Sequence, residues 1–396
     1  EPETIGPGLG ITPEERAYWA FQPIKRPLIS EKVKGNQTIR TPIDGLLLQA
    51  MPEGLAFSSD ADKVTLIKRA FFDLLGLPPS PEEMQRAMSN TSSNWYESLL
   101  DELLQSPHYG ERWARHWLDI AGYADSEGYT VQDDVRPWSW KYRDYVIKSF
   151  NDGKPFNQFI IEQLAGDELA GKRAGDLTAR QIELLTATGF LRMAADGTGS
   201  GSNTPEARNQ VIADTMKIVG SSLLGLSVAC AQCHDHRYDP IPQSDYFALR
   251  AIFEPTFDWQ NWQTPQQRRV SLYTAADRAK AAEVEAEVQK VVVVKNEKQA
   301  KYMAEALETE LMKFEQPLRD QLKAAYHTPG DKRTPEQTEL LKKNPSVNIS
   351  PGVLYQYLPK AAEELKGFDD QIAEIRKKKP VEEFLRVTIE PDNHIP

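Results

Sequence analysis

The chain has 396 residues, of which 40% are hydrophobic and 27% are charged, and its formal net charge is −11. This composition is that of a folded globular protein, and eight tryptophans and fourteen tyrosines argue against intrinsic disorder. Because the acidic balance offers no broad basic surface, nucleic acid is not an expected partner. The longest apolar run, 218–231, is interrupted by serines and glycines and is too short for a membrane span. No transmembrane segment is predicted.

Residues 1–59 form a proline-rich segment that we expect to wrap around a core rather than to build one. Its one strong helix signal is the stretch Thr12-Pro13-Glu14-Glu15, a capping box with proline at the first helical position. No charged and then apolar leader opens the chain, so we expect that any secretion signal was removed or lies outside this sequence.

Residues 60–269 carry one helix signal after another and predict an α-helical core that binds the cofactor discussed below. Ser80 starts a second capping box, Gly76 ends the helix before it, and Thr204 opens a long helix toward Gly225. Apolar residues recur at three-and-four spacing in four further ranges: 95–104, 111–124, 138–150 and 156–164. No run of alternating strands interrupts this pattern.

Residues 270–380 are predicted as a long helical hairpin arm. A capped helix begins after Thr274, and apolar residues step by threes and fours over 284–322. This pattern predicts one long amphipathic helix that bends near Pro317. The same spacing returns over 365–375, so an antiparallel hairpin or short coiled coil is the expected arrangement.

The last residues, 381–396, are predicted as a strand-like tail, because apolar and polar residues alternate from Phe384 to Glu390. We find no obvious partner strand in the chain and therefore expect a truncation before a further domain. The glycine-rich stretch 196–202 is predicted as a flexible linker. The expected fold class is mainly α: a multi-helix globular domain with a projecting helical hairpin or coiled-coil arm and little β.

The stretch Cys230-Ala-Gln-Cys233-His234 contains the only two cysteines of the chain. Two thiols three residues apart can each form a thioether with a haem vinyl group, and the histidine that follows can ligate the iron. The motif predicts one covalently attached haem c, with His234 as the metal ligand. The alternatives are a zinc site completed by His236, a disulfide, and a reduced thiol pair. Zinc is disfavoured, because four ligands within seven residues would strain the backbone.

The residues after the motif could support a haem. Asp235 or Asp239 could orient the proximal histidine, and Arg237 and Tyr238 could donate hydrogen bonds to the propionates. A second axial ligand is harder to place, since His236 lies too close to His234 in the chain. The candidates are His108, His116, Met193, Met216, His327 and His394. If none of them binds, an open sixth position would favour a haem-dependent redox enzyme acting on a small ligand or a carbohydrate.

A segment rich in carboxylates and tryptophans precedes the motif. It contains Asp119, Asp125, Glu127, Asp133, Asp134, Arg136, Trp138 and Trp140. Carboxylates beside tryptophans are typical of carbohydrate sites, in which acids transfer protons and rings stack on sugars. The simpler interpretation, a solvated acidic loop between two helices, is favoured.

Several long motifs occur in a fixed order, and together they cover roughly residues 14–260. They are Tyr18-Trp-Ala-Phe-Gln-Pro23, Asp73-Leu-Leu-Gly-Leu-Pro-Pro79, Ser106-Pro-His-Tyr-Gly-Glu-Arg-Trp-Ala-Arg-His-Trp-Leu-Asp119, Tyr142-Arg-Asp-Tyr-Val-Ile147, Gln163-Leu-Ala-Gly-Asp167 and the block 225–242 around the cysteines. In these stretches the chain resembles the planctomycete-type cytochrome-c-associated domain, a family of unknown function.

The resemblance implies a periplasmic or secreted protein, often fused to a cytochrome c domain that could serve as its redox partner. It also implies haem attachment at Cys230, Cys233 and His234. The leading hypothesis is an exported mono-haem cytochrome that acts in electron transfer. The alternatives are the haem-dependent redox enzyme and a binding or assembly module stabilised by zinc or a disulfide.

Overall fold

The computed structural model describes residues 12–30, 38–128, 133–172, 174–200 and 203–388. Over these ranges the chain is mainly helical, with a single two-stranded sheet, which confirms the predicted mainly α fold class. The chain divides into two compact units, one made of residues 12–271 with 384–388 and the other of Leu272–Glu383. None of the described helices is both long enough and apolar enough to span a bilayer.

The α-helices of the first unit begin where the local capping signals predict. Thr12 and Ser80 each accept a hydrogen bond from the backbone N–H three residues later, and Gly76 ends its helix in the left-handed conformation. The helices are α1 (Pro13–Arg16), α2 (Pro42–Ala50), α3 (Lys63–Leu75), α4 (Pro81–Ser89), α5 (Trp95–Leu104), α6 (Pro107–Ala121), α7 (Trp140–Asn151), α8 (Phe156–Ala170), α9 (Ala179–Ala187), α10 (Pro205–Val219) and α11 (Gln243–Phe257).

Helix α2 was not predicted, although the sequence carries its signal. Thr41 and Asp44 form a capping box, and Pro42 occupies the first helical position. The proline-rich segment 1–59 therefore contains more helix than expected. Its residues 1–11 and 31–37 lie outside the described ranges.

Short helical turns connect several of these helices. A π-helical turn, Gly220–Leu224, extends α10 until Gly225 adopts the left-handed conformation, in agreement with the predicted end of that helix. The 3₁₀ turns are Trp19–Phe21, Thr188–Arg192, Gly197–Gly199, Val228–Gln232, Gly330–Lys332, Pro345–Val347 and Pro351–Gln356.

The core of the first unit is aromatic. Trp117 packs edge-on against Phe159 and lies beside Phe190, and its indole N–H donates to Tyr142 Oη and Gln163 Oε1, both at 3.0 Å. These rings bury a large apolar area while the polar atoms of the tryptophan and tyrosine keep partners. Residues from α6 to α11 contribute to this core.

The strand-like tail has a partner. β1 (Arg269–Ser271) pairs antiparallel with β2 (Phe384–Arg386), and Val270 lies opposite Leu385. The prediction that the tail lacks a partner strand in this chain is therefore wrong for these three residues. The partner escaped prediction because three residues are too few to show alternation. Of the rest of the predicted strand, Val387 and Thr388 are described but lie outside β2, and 389–390 lie outside the described ranges.

The second unit is built on a helical hairpin, as predicted. Val284 and Val288 pack with Ile372 and Ile375. The two long helices are antiparallel, because Glu285 pairs with Arg376 whereas the later Lys298 pairs with the earlier Glu364. The predicted single helix over 284–322 is instead two helices, since a turn that contains Pro317 separates them. The helices of this unit are α12 (Ala275–Leu311), α13 (Leu318–His327), α14 (Pro335–Lys343) and α15 (Pro359–Arg376).

Candidate functional site

Cys230 lies within the 3₁₀ turn Val228–Gln232, and Cys233 follows this turn directly. Both cysteines are on the exposed side of the turn. Val228 and Ala231 are buried against the aromatic core, whereas Cys230 and Cys233 are exposed and form no disulfide. Because a 3₁₀ helix has three residues per turn, residues three apart share one side. The apolar side chains thus anchor the turn, and both thiols face solvent on the same side.

His234 is exposed, and its neighbour in the chain determines which ring nitrogen carries the proton. Nδ1 of His234 lies 2.7 Å from the backbone carbonyl oxygen of Asp235. A carbonyl oxygen only accepts, so Nδ1 must donate, and the lone pair of a neutral ring is left on Nε2. Iron ligation through Nε2 requires this tautomer.

His236 has a structural role in the loop that follows. Its Nδ1 accepts hydrogen bonds from the backbone N–H groups of Asp239 at 2.8 Å and Tyr238 at 3.3 Å. Nε2 therefore carries the proton and lies 3.2 Å from Ser227 Oγ. With 6% of its side chain exposed, His236 holds the loop closed and has no lone pair free for a metal.

The zinc alternative consequently lacks its fourth ligand in this arrangement. Over the described ranges, no three His, Cys, Asp or Glu side chains lie close enough together to hold a metal ion. A tetrahedral zinc site needs four donors that converge on one point. Haem attachment needs only the two thiols and one imidazole.

The carboxylate of Asp235 does not orient His234, contrary to one of the predicted arrangements. Its Oδ1 accepts from the backbone N–H of Gln243, the first residue of α11, at 2.7 Å. Gln243 in turn donates from Nε2 to the carbonyl of Gln232 at 3.0 Å. These bonds fix the motif against the start of α11, and the orientation of His234 comes from the main chain instead.

Arg237 and Tyr238 are both exposed beside the motif. The Arg237 guanidinium lies 5.6 Å from the centre of the Tyr238 ring, and 79% of Tyr238 is accessible to solvent. Neither side chain takes part in the core. Their role as donors to haem propionates remains a prediction.

The distal-ligand candidates are engaged elsewhere in the described structure. Met193 and Met216 are buried in the aromatic core. Nδ1 of His108 lies 2.7 Å from Glu111 Oε2, and His116 packs edge-on against Trp113. His327 ends α13 in the second unit, and His394 lies outside the described residues. We find no hydrogen bond or ring contact from any described candidate to His234.

The carboxylates Asp125 and Glu127 of the acidic and aromatic segment make hydrogen bonds and ion pairs within the first unit. Asp125 accepts from Tyr123 Oη at 2.7 Å and Ser139 Oγ at 3.0 Å, and these hydrogen bonds lower the pKa of Asp125. Glu127 is buried and pairs with Arg136 and Arg386. These contacts engage Asp125 and Glu127 in hydrogen bonds and ion pairs. The two residues therefore provide no free pair of exposed acids for the carbohydrate hypothesis.

The predicted linker 196–202 is partly an ordered, buried turn. Asp196 and Thr198 are each 2% exposed, and Trp262 donates from Nε1 to Thr198 Oγ1 at 3.0 Å. Asp196 Oδ2 also binds Arg268 Nη1 at 2.7 Å. The prediction of a flexible linker is therefore wrong for these residues, because glycine content alone does not reveal a buried ion pair. Residues 201–202 lie outside the described ranges.

A comparison with protein families decides where the chain belongs. The family model PSCyt2, described as a protein of unknown function (DUF1549), matches residues 42–258, more than half of the chain. The chain belongs to the PSCyt2 family. The PSCyt2 match starts with α2 and ends one residue after α11, so it includes the cysteine motif. No curated protein and no solved structure matches the chain.

Proposed function

We propose that this PSCyt2 chain carries one c-type haem and acts in electron transfer in a periplasmic or extracellular compartment. Cys230 and Cys233 would attach the haem, and His234 would be the proximal iron ligand. The observation that carries the proposal is the local geometry: two free thiols share one exposed side, next to an imidazole whose Nε2 is available. A bound haem would supply reversible one-electron chemistry.

The residues fit this cofactor chemically. Thioether formation needs two reduced thiols that a haem can reach, and both cysteines are exposed and unbonded to each other. The buried residues Val228 and Ala231 hold the turn in place, so attachment requires no opening of the core. Arg237 and Tyr238 could pair with propionates, because they are exposed on the adjoining loop.

Exposure of the motif favours electron transfer over chemistry in an enclosed pocket. A partner protein can reach Cys230, Cys233 and His234 without displacing core side chains. The net charge of −11 favours a partner with a basic or neutral surface. A separate or fused cytochrome c domain is the kind of redox partner that we propose.

The alternative function is a haem-dependent redox enzyme with an open sixth iron position. It is favoured by one observation: Met193 and Met216 are buried in the core rather than placed beside His234. Carbon monoxide distinguishes the two functions, since it binds reduced iron only where an axial site is open or weakly held. A shift of the Soret band on adding carbon monoxide would favour the enzyme, and no shift would favour electron transfer.

Intact-mass measurement tests the attachment. The full chain is exported to the periplasm of a host that has c-type haem maturation machinery, and its mass is compared with that of a double variant, Cys230→Ala with Cys233→Ala. We expect one haem per chain in the parent and none in the variant. The variant Tyr355→Phe, at an exposed tyrosine of the second unit, is the control and should keep the haem. An unmodified parent mass would contradict the proposal.

A further inference from the structure

A cluster of buried charged side chains in the first unit has no role in the proposed haem site. It consists of four arginines and two carboxylates: Arg136, Arg192, Arg268, Arg386, Glu127 and Asp196. Charges are rarely buried unless they are paired. Among the described residues of the cluster the positive side chains outnumber the negative ones, and the half-buried Arg269 adds a further positive charge nearby.

The two carboxylates are fully used by three of the arginines. Glu127 accepts from Arg136 Nη2 at 2.8 Å and from both terminal nitrogens of Arg386 at 2.5 and 2.9 Å. Asp196 binds Arg268 at 2.7 Å. Among the described residues, Arg192 has no carboxylate partner and donates only to the backbone carbonyls of Thr256 and Val387.

Arg192 is therefore the uncompensated charge of this cluster. Its guanidinium packs over the Phe257 ring at 4.6 Å. Burial and the neighbouring Arg268 lower the pKa of Arg192 well below its usual value, so the site disfavours the positive charge. Asp196 and Asp167 also attract Arg192 electrostatically, and the ion pair of Asp196 is with Arg268.

Buried N–H groups in the cluster lack partners. Nη1 of Arg192, Nε of Arg136 and Nη2 of Arg268 are all buried, and none has a hydrogen-bond acceptor among the described atoms. Leaving a buried donor without an acceptor costs more free energy when the donor belongs to a charged group than when it belongs to a neutral one. Two of these donors, on Arg136 and Arg192, belong to side chains that line one small cavity, which indicates that an acceptor belongs there.

The cavity beside Arg136 and Arg192 does not include Arg268 among its lining residues. Its volume is about 10 Å³, and Arg136, Arg192 and Arg386 line it together with Lys141 and Leu385. Such a volume holds about one water-sized guest, so phosphate, sulfate and carboxylic acids are too large. The cavity therefore admits a water molecule or a monatomic ion.

We propose that this cavity binds one monatomic anion, chloride in ordinary solution. A water molecule could accept the free N–H groups, but it would leave the charge of Arg192 uncompensated. An anion does both. Because Arg192 and Arg386 also hold the strand β2 through Val387 and Glu127, the anion would stabilise the attachment of this strand to the first unit.

Thermal unfolding of the full chain tests the proposal, with sodium chloride compared with sodium gluconate at equal ionic strength. We expect a higher unfolding midpoint in chloride, rising by about 3 °C for each tenfold increase above the dissociation constant. Arg192→Gln should abolish this dependence. Arg86→Gln, which removes an exposed arginine paired with Glu102, should keep it. Equal midpoints in the two salts would overturn the proposal.

A general salt effect is separated from binding by the two variants, because such an effect would persist in Arg192→Gln. If that variant does not fold, crystals of the parent grown with sodium bromide give a direct test. We expect an anomalous-scattering peak between Arg136 and Arg192. Its absence would overturn the assignment of the cavity.

Discussion

Nδ1 of His234 donates to the backbone carbonyl of Asp235 at 2.7 Å. The tautomer of the neutral His234 ring is thus determined by the next residue in the chain and not by distant packing. The bond leaves Nε2 available beside two exposed thiols. Local main-chain geometry therefore leaves Nε2 free for the role that we propose for His234, that of the iron ligand.

The loop after the motif should depend on His236. Replacing His236 by alanine removes the acceptor of the backbone N–H groups of Tyr238 and Asp239. We expect hydrogen exchange at the Asp239 amide to become about tenfold to a hundredfold faster, since an unsatisfied amide costs about 1–3 kcal/mol. Tyr238→Ala, in the same loop but exposed, should leave that rate unchanged. Unchanged exchange in His236→Ala would show that the loop is held by other contacts.

The buried ion pairs of Glu127 should matter more than exposed ones. Glu127→Gln leaves Arg136 and Arg386 without a carboxylate, and breaking a buried pair costs about 3–5 kcal/mol of unfolding free energy. The matched control is Glu102→Gln, whose exposed pair with Arg86 is worth about 0–1 kcal/mol. Urea unfolding measures both. Similar small losses for the two variants would contradict the assignment of Glu127 as a buried anchor.

Glu162 should make the stability of the first unit depend on acid pH. Burial raises the pKa of Glu162, but hydrogen bonds from Lys154 and Arg180 outweigh burial and bring this pKa from 4.5 to about 2. Because the folded-state pKa is the lower one, the stabilisation is complete above pH 4.5 and is lost as the pH falls toward 2.

The variant Glu162→Gln isolates this contribution. At neutral pH we expect it to unfold about 2–3 kcal/mol more easily than the parent, and the difference should shrink as the pH falls below 4.5. Urea unfolding at several pH values between 7 and 3 measures the difference. A gap that is constant over this range would mean that the charge of Glu162 is not the cause.

The contact between α8 and α9 should tolerate no side chain at Gly166. A Cβ at this position would lie 2.2 Å from the carbonyl oxygen of Leu184. We expect Gly166→Ala to destabilise the first unit by about 1–3 kcal/mol through overpacking. Gly367, on the exposed side of α15, has no atom within 4 Å of such a Cβ. Its change to alanine should stabilise the second unit by about 0.5–1 kcal/mol. In thermal unfolding we therefore expect a lower midpoint for Gly166→Ala and a higher midpoint for Gly367→Ala.

Helix starts could be read from the sequence because their signals are local. Thr12, Ser80 and Thr274 form the predicted capping boxes, and Gly76 ends α3 as expected. The exposed placement of both thiols also follows from local pattern, since apolar Val228 and Ala231 alternate with the polar side of the turn. These features need no knowledge of the rest of the fold.

Contacts between residues far apart in the chain could not be predicted from such local signals. β1 meets β2 across more than a hundred residues, and neither strand exceeds three residues. Arg192 and Arg268 become neighbours only when the chain folds, so their scattered charges look like ordinary surface residues in the sequence. The same reason explains why the zinc alternative stayed open, because the hydrogen bonds of His236 are visible only in three dimensions.

A pyridine haemochrome spectrum of the full chain, exported to a compartment with haem maturation machinery, tests the central claim most directly. The position of its α band reports whether the haem vinyl groups have been converted to thioethers. We predict the spectrum of a haem with both vinyl groups converted, at one haem per chain, and its loss when Cys230 and Cys233 are replaced. A colourless chain, or a haem that keeps its vinyl groups, would contradict the proposal that Cys230, Cys233 and His234 hold a c-type haem.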